Sequence, residues 1–302
     1  MTPNTNNIAS LAVTPKTQSI AAGNSIAYTT IATDIYGNTL DVSSNLGTSW
    51  TINASAGGFW TGPIYTSAKA GFWVITATYG GKFDTASLTV THATDLAHLD
   101  HITASVNPNS IAAPGTTTGT AIAYDSFGNS WDVSVLAVWS IPAGGDGGSW
   151  SGNVYTSHTA GTYIIQASYF GKTATISLTV THATDVAYLD HISIAPKQST
   201  IVAGNSQPYI ATAYDTFGNN WIVTAVYTCP NPNLTISGSS ASSNVAGVYT
   251  VTGTFSSKFD TASLTVTANS ALLNRIVISP KNPTGRRTRP PARGRWPPCA
   301  GS

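Results

Sequence analysis

From Trp73 to Tyr79 every second residue is apolar (Trp73, Ile75, Ala77, Tyr79), with Thr76 and Thr78 between them. The alternation returns at Tyr163, Ile165, Ala167 and Tyr169, and again at Tyr249, Val251, Gly253 and Phe255. A period of two is the mark of a strand with one face on a core. A glycine precedes each run (Gly71, Gly161, Gly247), and a short turn leads to a second alternating run: Ala86, Leu88, Val90; Ile176, Leu178, Val180; Ala262, Leu264, Val266. Each pair reads as a hairpin that closes a module. Upstream, Tyr28, Thr30 and Ala32 alternate in the same way and are matched by Tyr209, Ala211 and Ala213.

These runs repeat because the chain repeats. Ser87–Ile102 returns almost unchanged as Ser177–Ile192, a period of 90 residues, and a weaker copy runs from Ser263 to Ile276, two residues shorter and without its histidines. Solenoid units span roughly 20 to 50 residues, so a period this long is the length of an independent small domain. Each copy has room for about seven short strands with turn signals between them, the spacing of a β-sandwich. The fold class expected is therefore all-β: three tandem sandwich modules at 8–98, 99–188 and 189–274 after a short extension at 1–7. A truncated fourth repeat follows at 275–284, then a disordered basic tail at 285–302.

The strand that begins at Tyr28 ends in Asp34-Ile-Tyr-Gly-Asn38, repeated as Asp125-Ser-Phe-Gly-Asn129 and Asp215-Thr-Phe-Gly-Asn219. Asp can accept from a backbone amide two residues on, and Gly-Asn tolerates positive φ, which is tight-turn chemistry. One carboxylate and one amide fall short of the 6–8 oxygen ligands that Ca²⁺ takes. Modules one and two share Gly-Gly-Phe-Trp60 and Gly-Gly-Ser-Trp150, which the third replaces with Ser237–Ser243; Trp139 of the second aligns with Cys229 of the third.

The order of these motifs, Tyr-Asp-x-Phe-Gly-Asn, then Ala-Gly-x-Tyr-x-Val/Ile, then Ser-Leu-Thr-Val, resembles the bacterial Ig-like domains of invasin- and intimin-type surface proteins. It is also similar to tandem Ig-like repeats of archaeal and bacterial surface-layer proteins. The resemblance covers residues 8 to about 284. It implies Ig-like sandwiches in an extracellular or cell-surface protein, with Trp73, Tyr163 and Tyr249 where such folds place a tyrosine corner. Trp73 offers no hydroxyl for that corner.

Composition agrees with the strand reading. Charged residues are 8% of the chain and all 12 acidic residues are Asp. Apolar residues make up 41%, too many for a disordered chain, and no apolar run approaches the roughly 20 residues of a membrane span. Met1–Ile8 has no signal-peptide character and enters a repeat at once, as though the chain began inside a longer protein. Two cysteines, Cys229 and Cys299, make no disulfide framework. Five of the six Arg lie beyond Gly285. That abrupt change reads as sequence foreign to the repeats more readily than as a nucleic-acid arm.

Candidate chemistry is sparse. His92, Asp95, Asp100 and His101 recur at the next junction as His182, Asp185, Asp190 and His191. His with carboxylate suits Zn²⁺, and Asp pairs at a module boundary suit Ca²⁺. The plain reading is wet polar side chains that cap turns, and loss of these positions in the third copy (Asn274 and Arg275 replace the last pair) favours it. No cofactor is therefore expected unless Ca²⁺ sits at the junctions. Trp60 and Trp150 are candidate ligand contacts, as sugar-stacking platforms, or else plugs at one end of each core. No G-x-S-x-G, H-E-x-x-H or phosphate loop is present, and polar features recur module by module where an active site is assembled once. The expected role is a non-catalytic stalk or adhesion segment, semi-rigid because its junctions are short. Expected partners are other surface proteins, a host or neighbouring cell surface, or glycans, with no nucleic acid and no membrane span. The alternative is a carbohydrate- or cell-wall-binding array using the two Trp residues.

Overall fold

The computed structural model describes residues 7–276 with the exception of 143, 146 and 273. The basic tail and most of the fourth repeat lie outside the described residues. Two compact units are present: one runs through Ile192 and takes in Thr212–Val223, the other comprises Ser193–Ala211 and the residues from Thr224 onward.

In the first repeat the alternating runs form ten strands: β1 (Ile8–Thr14), β2 (Thr17–Ala21), β3 (Ser25–Ala27), β4 (Thr29–Asp34), β5 (Thr39–Asp41), β6 (Ser49–Thr51), β7 (Phe59–Thr61), β8 (Ile64–Thr66), β9 (Gly71–Tyr79) and β10 (Lys82–Thr91). One layer is the four-stranded sheet β2-β10-β9-β6. The other layer comprises the sheets β1-β4-β5 and β3-β8-β7. The β9–β10 hairpin is antiparallel, with Leu88 opposite Trp73 and Ala86 opposite Ile75. β2 joins β10 in parallel, Ser87 facing Thr17. Between the layers Val13, Ile75, Ala77 and Leu88 are buried with Tyr28 and Tyr65.

The second repeat uses the same plan with one change. Thr116–Asp125 runs unbroken where β3 and β4 are separate, so it joins Leu99–Asn107, Ser130–Asp132, Val154–Thr156 and Ser149–Ser151 in one five-stranded sheet. Its core holds Ile165, Leu178, Val133 and Tyr155. In the second compact unit, Gln198–Val202, Lys258–Thr267, Gly247–Phe255 and Val226–Thr228 form the four-stranded sheet over buried Val251 and Leu264. The chain is a set of Ig-like β-sandwich repeats.

The outward face of each four-stranded sheet carries hydroxyls and apolar side chains without charge. Thr76 and Thr78 of β9 stand beside Thr85, Ser87 and Thr89 of β10, and Phe72, Val74 and Phe83 are exposed among them. Two repeats pin their first strand to the closing hairpin electrostatically: Asp84 accepts from Val13 N at 2.6 Å and from Lys16 Nζ, and Asp260 accepts from Ile194 N at 2.7 Å and from Lys197 Nζ. The second repeat has Asn109 and Ala174 at these places, so carboxylate and lysine are present or absent together.

Two readings from the alignment change. The first concerns the corner. Tyr163 Oη donates to Thr159 O at 3.0 Å and Tyr249 Oη to Val245 O at 2.8 Å; Trp73 Nε1 donates to Lys69 O at 2.9 Å. The indole N–H makes the bond that a hydroxyl makes elsewhere, so the first repeat keeps its corner. The ring folds back over the preceding glycine: a Cβ on Gly71 would lie 3.0 Å from the Trp73 ring, and one on Gly161 2.9 Å from Tyr163 Oη. The second concerns Trp139, which pairs with Ala167 as Tyr227 pairs with Gly253. Tyr227, not Cys229, is therefore the counterpart of Trp139. A Cβ on Gly253 would meet Ile194 Cγ2 at 2.7 Å and the Tyr227 ring at 3.1 Å, so the glycine makes room for both.

Tyr163→Phe removes the corner donor and keeps its ring, while Trp73→Phe removes the donor together with part of the ring. Tyr163→Phe and Trp73→Phe should each lower stability by about 1 kcal/mol in urea unfolding. Trp73→Tyr should lose less than Trp73→Phe.

Candidate functional site

Among the described residues the buried carboxylates, Asp34, Asp125 and Asp215, all lie in the Asp-x-x-Gly-Asn turns. In the second repeat Asp125 Oδ1 accepts from Phe127 N at 3.0 Å and Asn129 N at 2.9 Å, while Asn129 Nδ2 donates to Oδ2 at 2.9 Å. Gly128 supplies the positive φ, +76°, that closes the turn. This much is the local chemistry the sequence implies.

The remaining capacity of the turn is spent on the repeat before it. Ala93 N donates to Asp125 Oδ2 at 2.8 Å, Ala70 N donates to Asn129 Oδ1 at 2.9 Å, and Asn129 Nδ2 donates to Ala68 O at 2.9 Å. Lys69 Nζ donates to Phe127 O. The Phe127 ring lies over Gly23, where a Cβ would meet it at 2.9 Å, and stacks on His98 at 5.0 Å. Asp125 and Asn129 are buried, 2% and 8% exposed; the Ala93 bond is buried, those to Ala70 and Ala68 are partly so, and the Lys69 bond is exposed.

The same clasp forms again 90 residues on. Ala183 N donates to Asp215 Oδ2 at 2.9 Å, Ala160 N to Asn219 Oδ1 at 2.6 Å, and Asn219 Nδ2 to His158 O at 3.1 Å. Phe217 packs against His158 and Tyr188. The turn lies in Thr212–Val223, which belongs to the first compact unit. Burial pushes the Asp125 carboxyl up, but bonds from Ala93, Asn129 and Phe127 outweigh it and hold it below the usual range. The Asp215 carboxyl is lowered on the same balance, with Ala183, Asn219 and Phe217 as donors.

The junction residues expected to hold a metal are distributed in a different way. His92 stacks on Trp131 at 4.0 Å and His182 on Trp221 at 3.9 Å, ring planes nearly parallel. Asp95 caps the short 3₁₀ turn Leu96–His98, accepting from His98 N at 3.0 Å and Nδ1 at 2.6 Å; Asp185 caps Val186–Tyr188 through Ala187 N. Asp100 meets His101 at 2.7 Å and Asp190 meets His191 at 2.8 Å, both pairs exposed, with the imidazoles stacked on Tyr124 and Tyr214. The structure thus brings these eight residues together as pairs and stacks. Among the described residues no group of three or more His, Cys, Asp or Glu could hold a metal ion, whereas structural zinc takes four ligands.

Trp60 and Trp150 are half-buried and packed into aromatic clusters. Trp60 stacks on Trp50 at 5.6 Å and meets Tyr65 at 5.0 Å; Trp150 stacks on Trp139 at 5.5 Å and meets Tyr155 at 4.9 Å. Both indole Nε1 atoms are shut off from solvent and so are not available to a sugar hydroxyl. An edge of Trp60 borders a groove of about 390 Å³ lined by Ser43, Ser44, Asn45, Thr48 and Trp50.

Sequence reasoning missed Asn129 and Asn219 as junction residues. The available signal was the turn's third position, which is Phe in the two repeats that dock on a predecessor and Tyr36 in the first.

No family model matches the sequence. A curated relative is Ice-binding protein 1 of Shewanella frigidimarina, 29% identical over 285 residues that make up 91% of this chain and 30% of that protein. The chain therefore spans about a third of that relative. Among solved structures, the Escherichia coli adhesin FdeC aligns at 15% identity over 85% of this chain and 96% of that one, with a TM-score of 0.48. Invasin, a bacterial integrin-binding protein, aligns at 16% over 86% and 60%, TM-score 0.42. The surface-layer protein SbsC, domains 1–6, aligns at 16% over 88% and 41%, TM-score 0.33.

Two predictions follow from the clasp. Asn129→Ala removes a donor and an acceptor across the junction, so hydrogen exchange at Ala70 should speed up about tenfold or more, while Ile75 and Leu88 keep core protection. The Asp125 carboxyl is lowered in the folded state, so its bonds contribute in full above the ordinary carboxyl value near 3.9 and are lost as pH falls through the folded value. Protection of the Ala93 amide, corrected for intrinsic rates, should hold from pH 7 to about 5 and collapse only below about 4.

Proposed function

We propose that this chain is a stalk segment of a prokaryotic cell-surface or secreted repeat protein. Its role is to space and present binding domains, and it performs no catalysis. Three modules, 8–98, 99–188 and 189–274, would serve as the mechanical units. The observation that carries this reading is the clasp itself. Buried Asp and Asn side chains join one repeat to the next by the same bonds at two junctions, which is what a tandem array under tension requires and a catalytic domain does not. The match to one third of a longer bacterial protein fits a spacer within a larger chain. An extracellular location and partners on other cell surfaces belong to the same proposal. Within the described residues no helix is long and apolar enough to cross a membrane.

The groove beside Trp60 favours a second reading, a glycan- or cell-wall-binding array. Against it, both Trp rings are packed on neighbouring aromatics and their N–H groups are enclosed.

Single-molecule pulling on the full chain tests the first reading. Three separate unfolding steps are expected, each releasing about 300 Å of chain for 90 residues at 3.3–3.6 Å each. Low-force extension without discrete steps would overturn the stalk. A glycan array run beside it should show no saturable binding; binding abolished by Trp60→Ala would move the assignment to the sugar-binding array.

A further inference from the structure

The second repeat leaves one sheet edge bare. Its four-stranded sheet ends on Val138–Ser140, which pairs with Gly161–Tyr169 on one side, and among the described residues no strand takes the other. Proteins commonly guard such edges with charge, proline or a covering segment. Here residues 133–141 carry neither a charge nor a proline, and residues 162–171 beside them carry no charge either.

An apolar cleft of about 340 Å³ adjoins this edge, lined by Leu136, Val138, Ser168, Tyr169 and Phe170. Leu136, Val138 and Phe170 are 65%, 68% and 64% exposed. Phe170 has φ +45°, a left-handed backbone that is unfavourable for a bulky side chain. The turn itself does not need the ring. The first and third repeats turn at the same place with Gly80 and Ser256, at φ +55° and +53°. Counting back from the strand pairings, Gly47 and Thr224 stand where the second repeat has Leu136. A strained, outward-facing ring beside an apolar cleft is therefore an addition to this repeat and not a requirement of its fold.

We propose that two copies of this chain pair side by side through the second repeat. Their Val138–Ser140 edges run antiparallel about a two-fold axis, so that two sheets become one. Charge, backbone and area all point to a second copy as the occupant. A two-fold axis sets every nearby charge against its own kind, and this patch has none to oppose. The edge is also its own complement, since antiparallel strands exchange equivalent backbone bonds. With the axis at Trp139, Val138 faces Ser140 of the second copy and Leu136 faces its Pro142, so uncharged side chains close each cleft. Covering Val135, Leu136, Val138 and Phe170 in both copies removes roughly 1,000 Å² from water, the lower limit of a specific interface. The pair is accordingly weak, with a Kd on the order of 100 µM. This goes beyond the stalk reading, which needs no association between copies.

Sedimentation equilibrium of the full chain from about 10 µM to about 1 mM reads the association. A monomer–dimer equilibrium is expected, with hydrogen exchange slowed at high concentration in residues 136–140 and 168–171. Val138→Lys sets two lysines across the axis at an exposed position and should leave the chain monomeric throughout. Phe170→Gly restores the residue that the first repeat uses. It should weaken the dimer about tenfold or more while the monomer melts at the same temperature or higher. A chain that stays monomeric at the highest concentration, a dimer protected at other residues, or species larger than a dimer would overturn the proposal. So would a Phe170→Gly chain that pairs as tightly as before, or one whose monomer melts lower, since the ring would then belong to the fold.

Discussion

A carboxylate taken out of water must have its oxygens filled, and this requirement organises the junctions of the chain. Asp125 and Asp215 are almost wholly buried, and no cation faces either of them in the bonds described. Backbone and side-chain amides do the work instead, and a carboxylate accepting several such bonds stays ionised despite burial. Because one donor comes from the preceding repeat, the turn is fully satisfied only when the two repeats are in register. Folding of the turn and docking of the repeat are thereby coupled through one side chain.

The rings beside the carboxylate complete the arrangement. Phe127 lies against a backbone glycine and Phe217 against two aromatic neighbours, so apolar contact surrounds the hydrogen bonds and keeps water from competing for them. His92 and His182, flat on Trp131 and Trp221, extend the same contact. Residues that look ligand-like in a linear sequence act here as packing surfaces and turn caps.

Much of the fold was legible because its signals are local. Alternation placed the β9–β10 hairpin and its counterparts, and the threefold recurrence of Gly-x-Trp/Tyr marked the corner. What the sequence could not show was how an atom's bonding capacity is divided. Asp125 and Asn129 read as turn formers, which they are, but half their bonds reach 32 and 59 residues back along the chain. No spacing rule reports that. The corner in the first repeat was hidden for a different reason: chemical equivalence of indole N–H and phenol O–H is a matter of reach, visible only once Lys69 O is placed. The pairing of Trp139 with Cys229 failed because simple spacing ignores strand register, which sets Tyr227 opposite Gly253.

The low charge of this molecule bears on the media in which it can work. Ionic strength weakens exposed ion pairs, with a screening length near 8 Å in physiological salt and about 3 Å at 1 M. The clasp centres on a buried carboxylate bonded to uncharged amides, and the outer sheet faces carry hydroxyls instead of ions. Brine and dilute buffer should therefore look much the same to the buried part of its joints.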